Sequence, residues 1–223
     1  MSRGLGDVYK RQIEVIFLVK IFDKEKIADA LAEIDEDLRE IILENLSEKE
    51  IAEKIEELDT DDATDVISEL TEERQERVFS QIKDSELTDD IKELLKYEED
   101  TAGGLMAKEL VRVDETLTVA RAIGEIRAQA DNMDQLYTVY VVDLKGRLTG
   151  RLSLKNFLLN APSTRTPISE LKNSDDLVSV KDTDTEDIVV SLMETYDIVA
   201  LPVVDEKGIL VGRITIDDAV DVI

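Results

Sequence analysis

The feature of this sequence that most constrains its fold is an internal repeat in the second half. Residues 140–156 read YVVDLKGRLTGRLSLKN, and residues 202–218 read PVVDEKGILVGRITIDD. The two copies align without a gap, and they are identical at Val141/Val203, Val142/Val204, Asp143/Asp205, Lys145/Lys207, Gly146/Gly208, Leu148/Leu210, Gly150/Gly212 and Arg151/Arg213. A repeat of this length in only two copies predicts two similar small modules, not a solenoid. Two such modules packed together form a cleft in which a ligand can bind.

The hydrophobic pattern around the repeat predicts the order β-α-β-β-α twice in succession. The first round comprises strand 110–113, helix 119–130, strands 138–142 and 148–152, and helix 154–159. The second comprises strand 177–180, helix 185–195, strands 199–204 and 210–215, and a helix from about residue 217. Gly146 and Gly208 come after acidic turn residues, where a positive φ is expected. We assign Val199 to a strand core, and Tyr137 and Tyr140 to packing.

The first half of the chain is predicted to be helical and strongly acidic. Residues 21–100 hold 30 acidic and 10 basic residues, a net charge of −20, and neither Gly nor Pro. Apolar residues recur at helical spacing in short segments of roughly 8–12 residues. A capping-box pattern begins at Ser47, and Asp59, Thr71 and Thr88 stand where N-caps belong. Short helices joined by short turns are expected to pack antiparallel or as a curved stack.

The composition excludes several classes of function. The net charge is −26, from 53 acidic and 27 basic residues, so the surface repels phosphate backbones and nucleic acid is not an expected partner. The chain has no Cys and no His, which removes thiol nucleophiles, the commonest general base and the usual zinc ligands. No carboxylate pair lies in a recognisable catalytic motif, so we do not expect an enzyme. No long apolar run is present, so we expect no transmembrane span within this sequence.

Both ends of the sequence look incomplete. Residues 1–20 differ in character from the rest of the chain, and we interpret them as a leader, a non-native segment or a remnant of a first helix. The sequence stops at Ile223 within a predicted helix, without a cap or stop signal, which indicates a fragment.

The repeat resembles a CBS-domain pair, because each copy has the pattern G-x-[LI]-[ST]-x-x-[DN] where its last helix begins, at residues 150–156 and 212–218. Upstream, residues 97–106 (YEEDTAGGLM) resemble the junction between the acidic helical N domain and the CBS pair of MgtE-type magnesium channels. The resemblance implies an α+β fold class, in which an all-α acidic helical superhelix is followed by a tandem CBS-domain pair. The expected domains are residues 21–100 for the N domain, 101–160 for the first CBS domain and 161–223 for the second.

The resemblance also implies a set of Mg²⁺ ligands. It carries the family's N-domain contacts onto Asp61 and Asp65, which lie four residues apart and therefore on one helical face. It carries the contacts of the second CBS domain onto Asp187, Asp197, Asp218 and Asp221. Thr185 stands where the family has a further acid. Mg²⁺ suits such positions because it prefers oxygen ligands, keeps several waters and is usually held by one or two carboxylates.

ATP is a second candidate ligand. CBS pairs that bind ATP commonly use an Asp of the repeated pattern to contact the ribose hydroxyls. The first copy has Asn156 at this position, and Lys155 replaces the Arg often found before that acid; its ammonium group could contact a phosphate. The alternative is that Ser153 and Thr215 of the two copies only cap the helices that begin there.

Together these features predict the cytosolic Mg²⁺-sensing region of a MgtE-type magnesium transporter or channel. The fragment itself is expected to be soluble, at the cytoplasmic face of the inner membrane, and to form a homodimer through its CBS domains. Its own transmembrane domain would lie outside this sequence. At high internal Mg²⁺, ions between the N domain and the second CBS domain would neutralise repulsion, compact the dimer and hold the pore closed. The alternative is a soluble CBS-pair sensor of adenine nucleotides with an acidic helical docking scaffold.

Overall fold

The structure is a computed structural model that describes residues 31, 34, 36–131, 133, 135–153, 155, 157 and 163–221. The chain divides into two compact units, residues 1–96 and residues 97–223. The segment interpreted as a leader, residues 1–20, lies outside the described residues. Of the helix predicted at 154–159, only residues 155 and 157 are described, and both are helical. No helix in the described part of the chain is both long and apolar enough to cross a bilayer.

The first unit is made of short α-helices of 8 to 10 residues, as the acidic half of the sequence predicts. Its described helices are α1 (Glu36–Asn45), α2 (Glu48–Ile55), α3 (Thr60–Ser68), α4 (Glu72–Phe79) and α5 (Ser85–Leu94). Their apolar faces form one core, whose most buried members include Leu43, Ile51, Ile55, Ile67 and Ile91. Burying these faces stabilises helices that are too short to be stable alone in water.

The predicted N-caps of α2, α3 and α4 are confirmed as positions. Ser47 caps α2 in a full capping box, in which Ser47 N donates to Glu50 Oε2 at 2.9 Å and Glu50 N donates to Ser47 Oγ at 3.3 Å. Asp59 and Thr71 are the N-caps of α3 and α4, although neither side chain makes a capping hydrogen bond. The capping box therefore identifies the start of α2 with its full set of bonds.

The predicted N-cap at Thr88 is wrong, because α5 begins earlier. Asp84 is the N-cap, and its Oδ1 accepts from Glu86 N at 2.9 Å and from Leu87 N at 3.2 Å. Thr88 lies inside the helix, where its hydroxyl donates to Asp84 O at 3.0 Å. The aspartate takes the cap because its carboxylate satisfies two backbone N–H groups that would otherwise lack partners.

Side chains of α4 satisfy carbonyl groups at the C-terminal ends of neighbouring helices. Arg74 Nη2 donates to Leu43 O at 2.5 Å and to Leu46 O at 2.7 Å. Gln75 Nε2 donates to Ile67 O at 3.0 Å, near the end of α3. Helices often end on a glycine that lets the last carbonyls bond to the backbone, and residues 21–100 have none. These bonds between helices serve the same carbonyls and tie the helix ends to α4.

The second unit contains two three-stranded sheets, one in each copy of the repeat. The first sheet consists of β1 (Val111–Asp114), β2 (Val139–Val142) and β3 (Leu148–Leu152), and the second of β4 (Val180–Lys181), β5 (Ala200–Val204) and β6 (Leu210–Thr215). The remaining elements are α6 (Val119–Ala130), a 3₁₀ turn at Ile168–Glu170, α7 (Glu186–Tyr196) and α8 (Ile216–Asp221). In each sheet the first two strands are parallel and the last two antiparallel. The predicted α+β fold class and the predicted order of elements are confirmed.

Strand β4 is shorter than the sequence pattern predicts. It pairs with β5 at Val180 and Lys181, opposite Val203 and Val204. The residue before this pair on β5 is Pro202, which has no N–H to donate, so the ladder ends there.

The two modules meet through their β-hairpins around a local two-fold axis. Leu148 N donates to Gly208 O, and its counterpart in the second copy, Leu210 N, donates to Gly146 O, both at 3.0 Å. Both turn glycines have a φ of +78°, as predicted. Reciprocal bonds between equivalent residues are typical of an isologous two-fold contact. The repeat in the sequence is therefore also a symmetry of the contact between the modules.

Each module also pairs with the segment that precedes the other module. Arg151 of β3 exchanges two backbone hydrogen bonds with Asn173, at 3.0 and 2.9 Å. Its counterpart Arg213 of β6 exchanges two with Ala107, at 2.9 and 2.8 Å. The junction segment makes a further bond to the second module, from Ala102 N to Asp184 O at 2.8 Å. Residues 102–107 thus bond to the second module although they precede the first in sequence.

Glycine is required at one repeated position for steric reasons. A Cβ at Gly150 would lie 2.9 Å from Asn173 O, and one at Gly212 would lie 2.6 Å from Met106 Sδ and 2.9 Å from Ala107 O. These separations are shorter than carbon atoms tolerate without a shift of their neighbours. The first glycine of the repeated pattern therefore permits the close approach of the exchanged segment in both modules.

A salt bridge supports the exchange in the first module. Lys172 Nζ lies 2.6 Å from Glu115 Oε2, and the two side chains are 17% and 28% exposed. Thr149 Oγ1 donates to the same oxygen at 3.0 Å. The hydrogen bond from Lys172, followed by that from Thr149, lowers the pKa of Glu115. The carboxylate is therefore charged at neutral pH and links β3 to the segment that leads into the second module.

We expect Gly212→Ala to lower the free energy of unfolding by about 1–3 kcal/mol, because the new methyl must displace Met106 or the Ala107 carbonyl. Denaturant unfolding followed by circular dichroism measures the change. Gly124→Ala is the control, since a Cβ there meets nothing within 4 Å. The control should be neutral or stabilise the protein by up to about 1 kcal/mol. Equal effects of the two substitutions would contradict the steric explanation.

Candidate functional site

The predicted metal ligands of the first unit lie on α3. Asp61 is half-buried, and its Oδ1 accepts from Asp62 N at 2.9 Å. Asp65, one turn further on, is exposed. Asp61 and Asp62 lie in the first turn of α3, where the partial positive charge of the helix N-terminus stabilises carboxylates. The helix therefore presents Asp61 and Asp65 as a pair on one face.

The predicted ligands of the second module lie on α7 and α8. Asp187 is exposed in the first turn of α7, after the N-cap Thr185. Asp197 is the C-cap of α7 and is exposed, with a left-handed backbone (φ 53°, ψ 49°). Asp218 lies in the first turn of α8, and Asp221 is its last residue. The side chain of Asp221 lies outside the described part of the structure, so its role stays a prediction.

Asp218 and Thr215 bond to each other at the start of α8, in line with the alternative that Thr215 serves the helix start. Asp218 Oδ2 accepts from Thr215 N at 2.9 Å and from Thr215 Oγ1. Thr215 is only 4% exposed. Burial raises the pKa of Asp218, and the two bonds from Thr215 partly counteract this effect. One carboxylate oxygen is thus committed to the helix start, which leaves the other for any ligand.

The acidic residues fit a hydrated Mg²⁺ better than a metal cage formed entirely by protein. Across the described residues, no group of three or more acidic side chains could hold a metal ion. Mg²⁺ keeps several waters and is usually bound by one or two carboxylates, so a pair such as Asp61 and Asp65 suits it. Zinc would call for the His and Cys ligands that the chain lacks.

A cavity of about 210 Å³ lies between the two modules of the second unit. It is lined by Tyr137, Thr138, Tyr140, Arg151, Leu177, Val178, Asp197, Ile198, Val199, Ala200 and Pro202. We call this the Arg151 cleft. Its wall is largely apolar and aromatic, with one cation, Arg151, and one anion, Asp197. The volume is smaller than that of typical pockets for drug-sized ligands, so the cleft suits a flat ring with its polar substituents outside.

The structure places the predicted ligand and packing residues unevenly around the Arg151 cleft. Lys155 is exposed and is not among the lining residues, and Asn156 lies outside the described residues. Tyr140 is 2% exposed, as expected of a packing residue, and burial raises its pKa. The assignment of Val199 to a strand core is wrong: it is 50% exposed, because β5 begins one residue later. Val199 belongs to the cleft.

Sequence reasoning did not identify Arg151 and Arg213 as candidate ligand-contacting residues. Both were visible as one of the identities of the repeat, at a position where a strand would alternate inward and outward. The environments of the two arginines differ, since Arg151 is exposed and Arg213 is buried. Periodicity does not distinguish these environments, because the walls of the cleft come from non-repeated residues.

Two family models match this chain. The MgtE intracellular N domain matches residues 11–100, and the CBS domain matches residues 102–162 and 168–223. Curated relatives include the magnesium transporter MgtE of Thermus thermophilus, 46% identical over 128 residues, and that of Enterococcus faecalis, 36% identical over 129 residues. These matches cover 57% and 58% of this chain but only 28% of each relative. The chain therefore matches a minor part of the length of those transporters.

Two solved structures are similar to nearly the whole chain. One is the cytosolic domain of the Mg²⁺ channel MgtE in complex with ATP, with a TM-score of 0.85 and 34% identity, covering 95% of this chain and 85% of that one. The other is the soluble part of a magnesium transporter, with a TM-score of 0.80 and 31% identity, covering 95% and 82%.

We expect Thr215→Val to lower the free energy of unfolding by about 1–2 kcal/mol at pH 7 without Mg²⁺, because the Asp218 carboxylate loses a hydroxyl donor. The loss should shrink in acid, since a protonated Asp218 depends less on that donor. Denaturant unfolding at several pH values measures it. Thr118→Val is the control, because the side chain of this N-cap makes no capping bond. A loss that is independent of pH would contradict a charge-assisted cap.

Proposed function

The chain belongs to the MgtE family, and we propose that it is the cytosolic Mg²⁺-sensing region of a magnesium transporter or channel. The observation that carries this proposal is the similarity of both units, over 95% of this chain, to the cytosolic domain of the Mg²⁺ channel MgtE. The same similarity favours a regulatory region over an enzyme, and over a free-standing adenine-nucleotide sensor. In this proposal the chain acts at the cytoplasmic face of the membrane on a transmembrane pore domain.

Mg²⁺ is the regulatory ligand in this proposal. The proposed contacts are Asp61 and Asp65 in the first unit, and Asp187, Asp197, Asp218 and Asp221 in the second. The region 21–100 carries a net charge of −20. Two unit charges about 4 Å apart interact by about 4 kcal/mol at an effective dielectric constant of ~20. Neutralising a few carboxylate pairs therefore suffices to shift a conformational equilibrium of a few kcal/mol.

The proposed mechanism couples this neutralisation to gating. At high Mg²⁺ the ions reduce the repulsion among the acidic residues, and a homodimer formed through the CBS domains becomes more compact and holds the pore closed. At low Mg²⁺ the uncompensated charge favours an expanded dimer. The protein supplies oxygen ligands and the repulsion, while the ion supplies the compensating charge.

We expect millimolar Mg²⁺ to reduce the radius of gyration of the dimer in small-angle scattering, and NaCl of equal ionic strength to have little effect. Asp61→Asn with Asp65→Asn should raise the midpoint Mg²⁺ concentration by about tenfold, because a carboxylate pair is lost. The matched control is Glu72→Gln with Glu76→Gln on α4, which removes the same charge from exposed positions at the same spacing. A radius that does not respond to Mg²⁺ would sink the mechanism, and equal shifts in both double variants would reduce it to bulk charge.

We propose an adenine nucleotide as a second ligand, in the Arg151 cleft. Its support is the ATP complex of the similar cytosolic domain, together with a cleft that joins aromatic and apolar walls to an exposed guanidinium. An apolar wall suits a nucleobase, and a guanidinium suits a phosphate because it can form two parallel hydrogen bonds.

We expect Arg151→Ala to weaken ATP binding by about tenfold or more, because one charge-assisted contact to phosphate is worth at least ~1.4 kcal/mol. Isothermal titration calorimetry measures the change. Arg147→Ala is the control, since this exposed arginine of the hairpin pairs with Asp143 and does not line the cleft. Unchanged affinity in Arg151→Ala would remove this arginine from the ligand site.

A further inference from the structure

The two-fold relation between the modules implies two clefts, one on each side of the axis. The alignment of the two copies relates the members of one cleft to those of the other. Arg151 of the first corresponds to Arg213 of the second, Ile198 to Leu136, and Val199 to Tyr137. The axis itself passes near the bridge between Arg147 and Ile209, which are each other's counterparts. A symmetric pair would therefore offer two similar binding sites.

The two clefts are not similar in size. The Arg151 cleft has a volume of about 210 Å³, whereas the second has about 10 Å³. The second, which we call the Arg213 cleft, is lined by Leu110, Val111, Met133, Gln135, Leu136, Tyr137, Thr138, Tyr140, Ala200 and Arg213. So small a space holds no more than one water molecule. The second cleft therefore exists as a set of equivalent residues but not as a ligand site.

The side chain of Arg213 accounts for the difference. Arg213 is 7% exposed, and its Nε donates to the carbonyl oxygen of Glu109. Its guanidinium carbon lies 5.7 Å from the centre of the Tyr137 ring, within the range of a cation–π contact. Arg151, at the equivalent position, is exposed instead. The same residue type thus fills one cleft and stays accessible at the other.

Residues outside the identical positions explain why the two arginines diverge. In the Arg213 cleft the ring of Tyr137 gives the guanidinium a surface to stack on. The equivalent residue of the Arg151 cleft is Val199, which offers no such ring and is half-exposed. A buried guanidinium also needs hydrogen-bond acceptors, and the Glu109 carbonyl provides one from the junction segment. The chain thereby supplies its own cation and its own aromatic group to a site that would otherwise be empty.

We propose that Arg213 is a built-in occupant of the second cleft, so that each chain binds one ligand, in the Arg151 cleft. Arg213 and Tyr137 then determine stoichiometry: they exclude a second ligand and leave the first site unaffected. The ligand-counting part rests on the nucleotide site proposed above, while the filling of the Arg213 cleft does not. Arg213 also fixes the junction segment through Glu109, so a ligand entering this cleft would have to break that contact.

Thiol labelling tests the filling of the cleft without any ligand, because the chain contains no Cys and each variant carries a single thiol. Ile198→Cys reports on the Arg151 cleft, and Leu136→Cys on the Arg213 cleft. We expect N-ethylmaleimide to modify the Ile198→Cys variant at least about tenfold faster, since access controls thiol reactivity. Adding Arg213→Ala should bring the Leu136→Cys rate close to that of Ile198→Cys, whereas Arg213→Met, which retains the volume, should not. Equal rates in the two single-Cys variants, or no acceleration by Arg213→Ala, would overturn the proposal.

Calorimetric titration with ATP tests the stoichiometry on the full chain. We expect one ATP per chain for the unchanged protein and for Arg213→Met, and a second, weaker site in Arg213→Ala. Two ATP per chain in the unchanged protein would overturn the proposal. Absence of ATP binding would instead refute the nucleotide function alone, because the labelling rates decide the filling of the Arg213 cleft independently. If Arg213→Ala does not fold, the labelling comparison of Ile198→Cys with Leu136→Cys in the otherwise unchanged chain still decides it.

Discussion

Backbone pairing between each module and the segment that precedes the other one is the constraint on which the second unit depends. Four hydrogen bonds, at Arg151 with Asn173 and at Arg213 with Ala107, complete both sheets at their outer strands. Neither module is complete without residues that belong to the other in sequence. This pairing sets the spacing of the hairpins, and with it the width of the clefts. Because Gly150 and Gly212 stand at these crossings, a side chain at either position would push the modules apart.

The first unit solves a different physical problem, since it must pack helices that carry a large excess of negative charge. Its core is apolar, and its few basic residues are used at helix ends and in bridges between helices. Arg39 Nη1 lies 3.1 Å from Glu69 Oε1, with both side chains largely buried, while Arg74 holds the end of α1. Repulsion among the remaining carboxylates is left to solvent and counterions. A unit of this kind responds to cations as a whole, so individual carboxylates need not form a closed metal cage.

Much of the fold could be predicted because the two periodicities of the sequence are clean. The predicted bounds of α6, β3 and β6 agree with the structure to the residue. The errors arise where a local interaction outweighs the pattern, as at Asp84 for the start of α5 and at Pro202 for the end of the β4 ladder. The candidate site was less predictable. Spacing places Asp218 on a helical face, but it does not reveal that Thr215 already occupies one carboxylate oxygen. Sequence identity likewise suggests equal roles for Arg151 and Arg213, whereas Tyr137, outside the identical positions, separates them.

The pairing of the junction segment with β6 has a consequence for how the protein is made. Glu109 and Arg213 are separated by 104 residues, so the edge of the second sheet leaves the ribosome long before the strand it joins. Contacts between such distant parts of a chain form slowly, because a long loop must close first. Until then residues 102–107 carry unpaired backbone groups, although the helical unit that precedes them in sequence can already fold. Synthesis of the last strand is therefore the event that closes the second unit, and any earlier arrest leaves the junction without its partner.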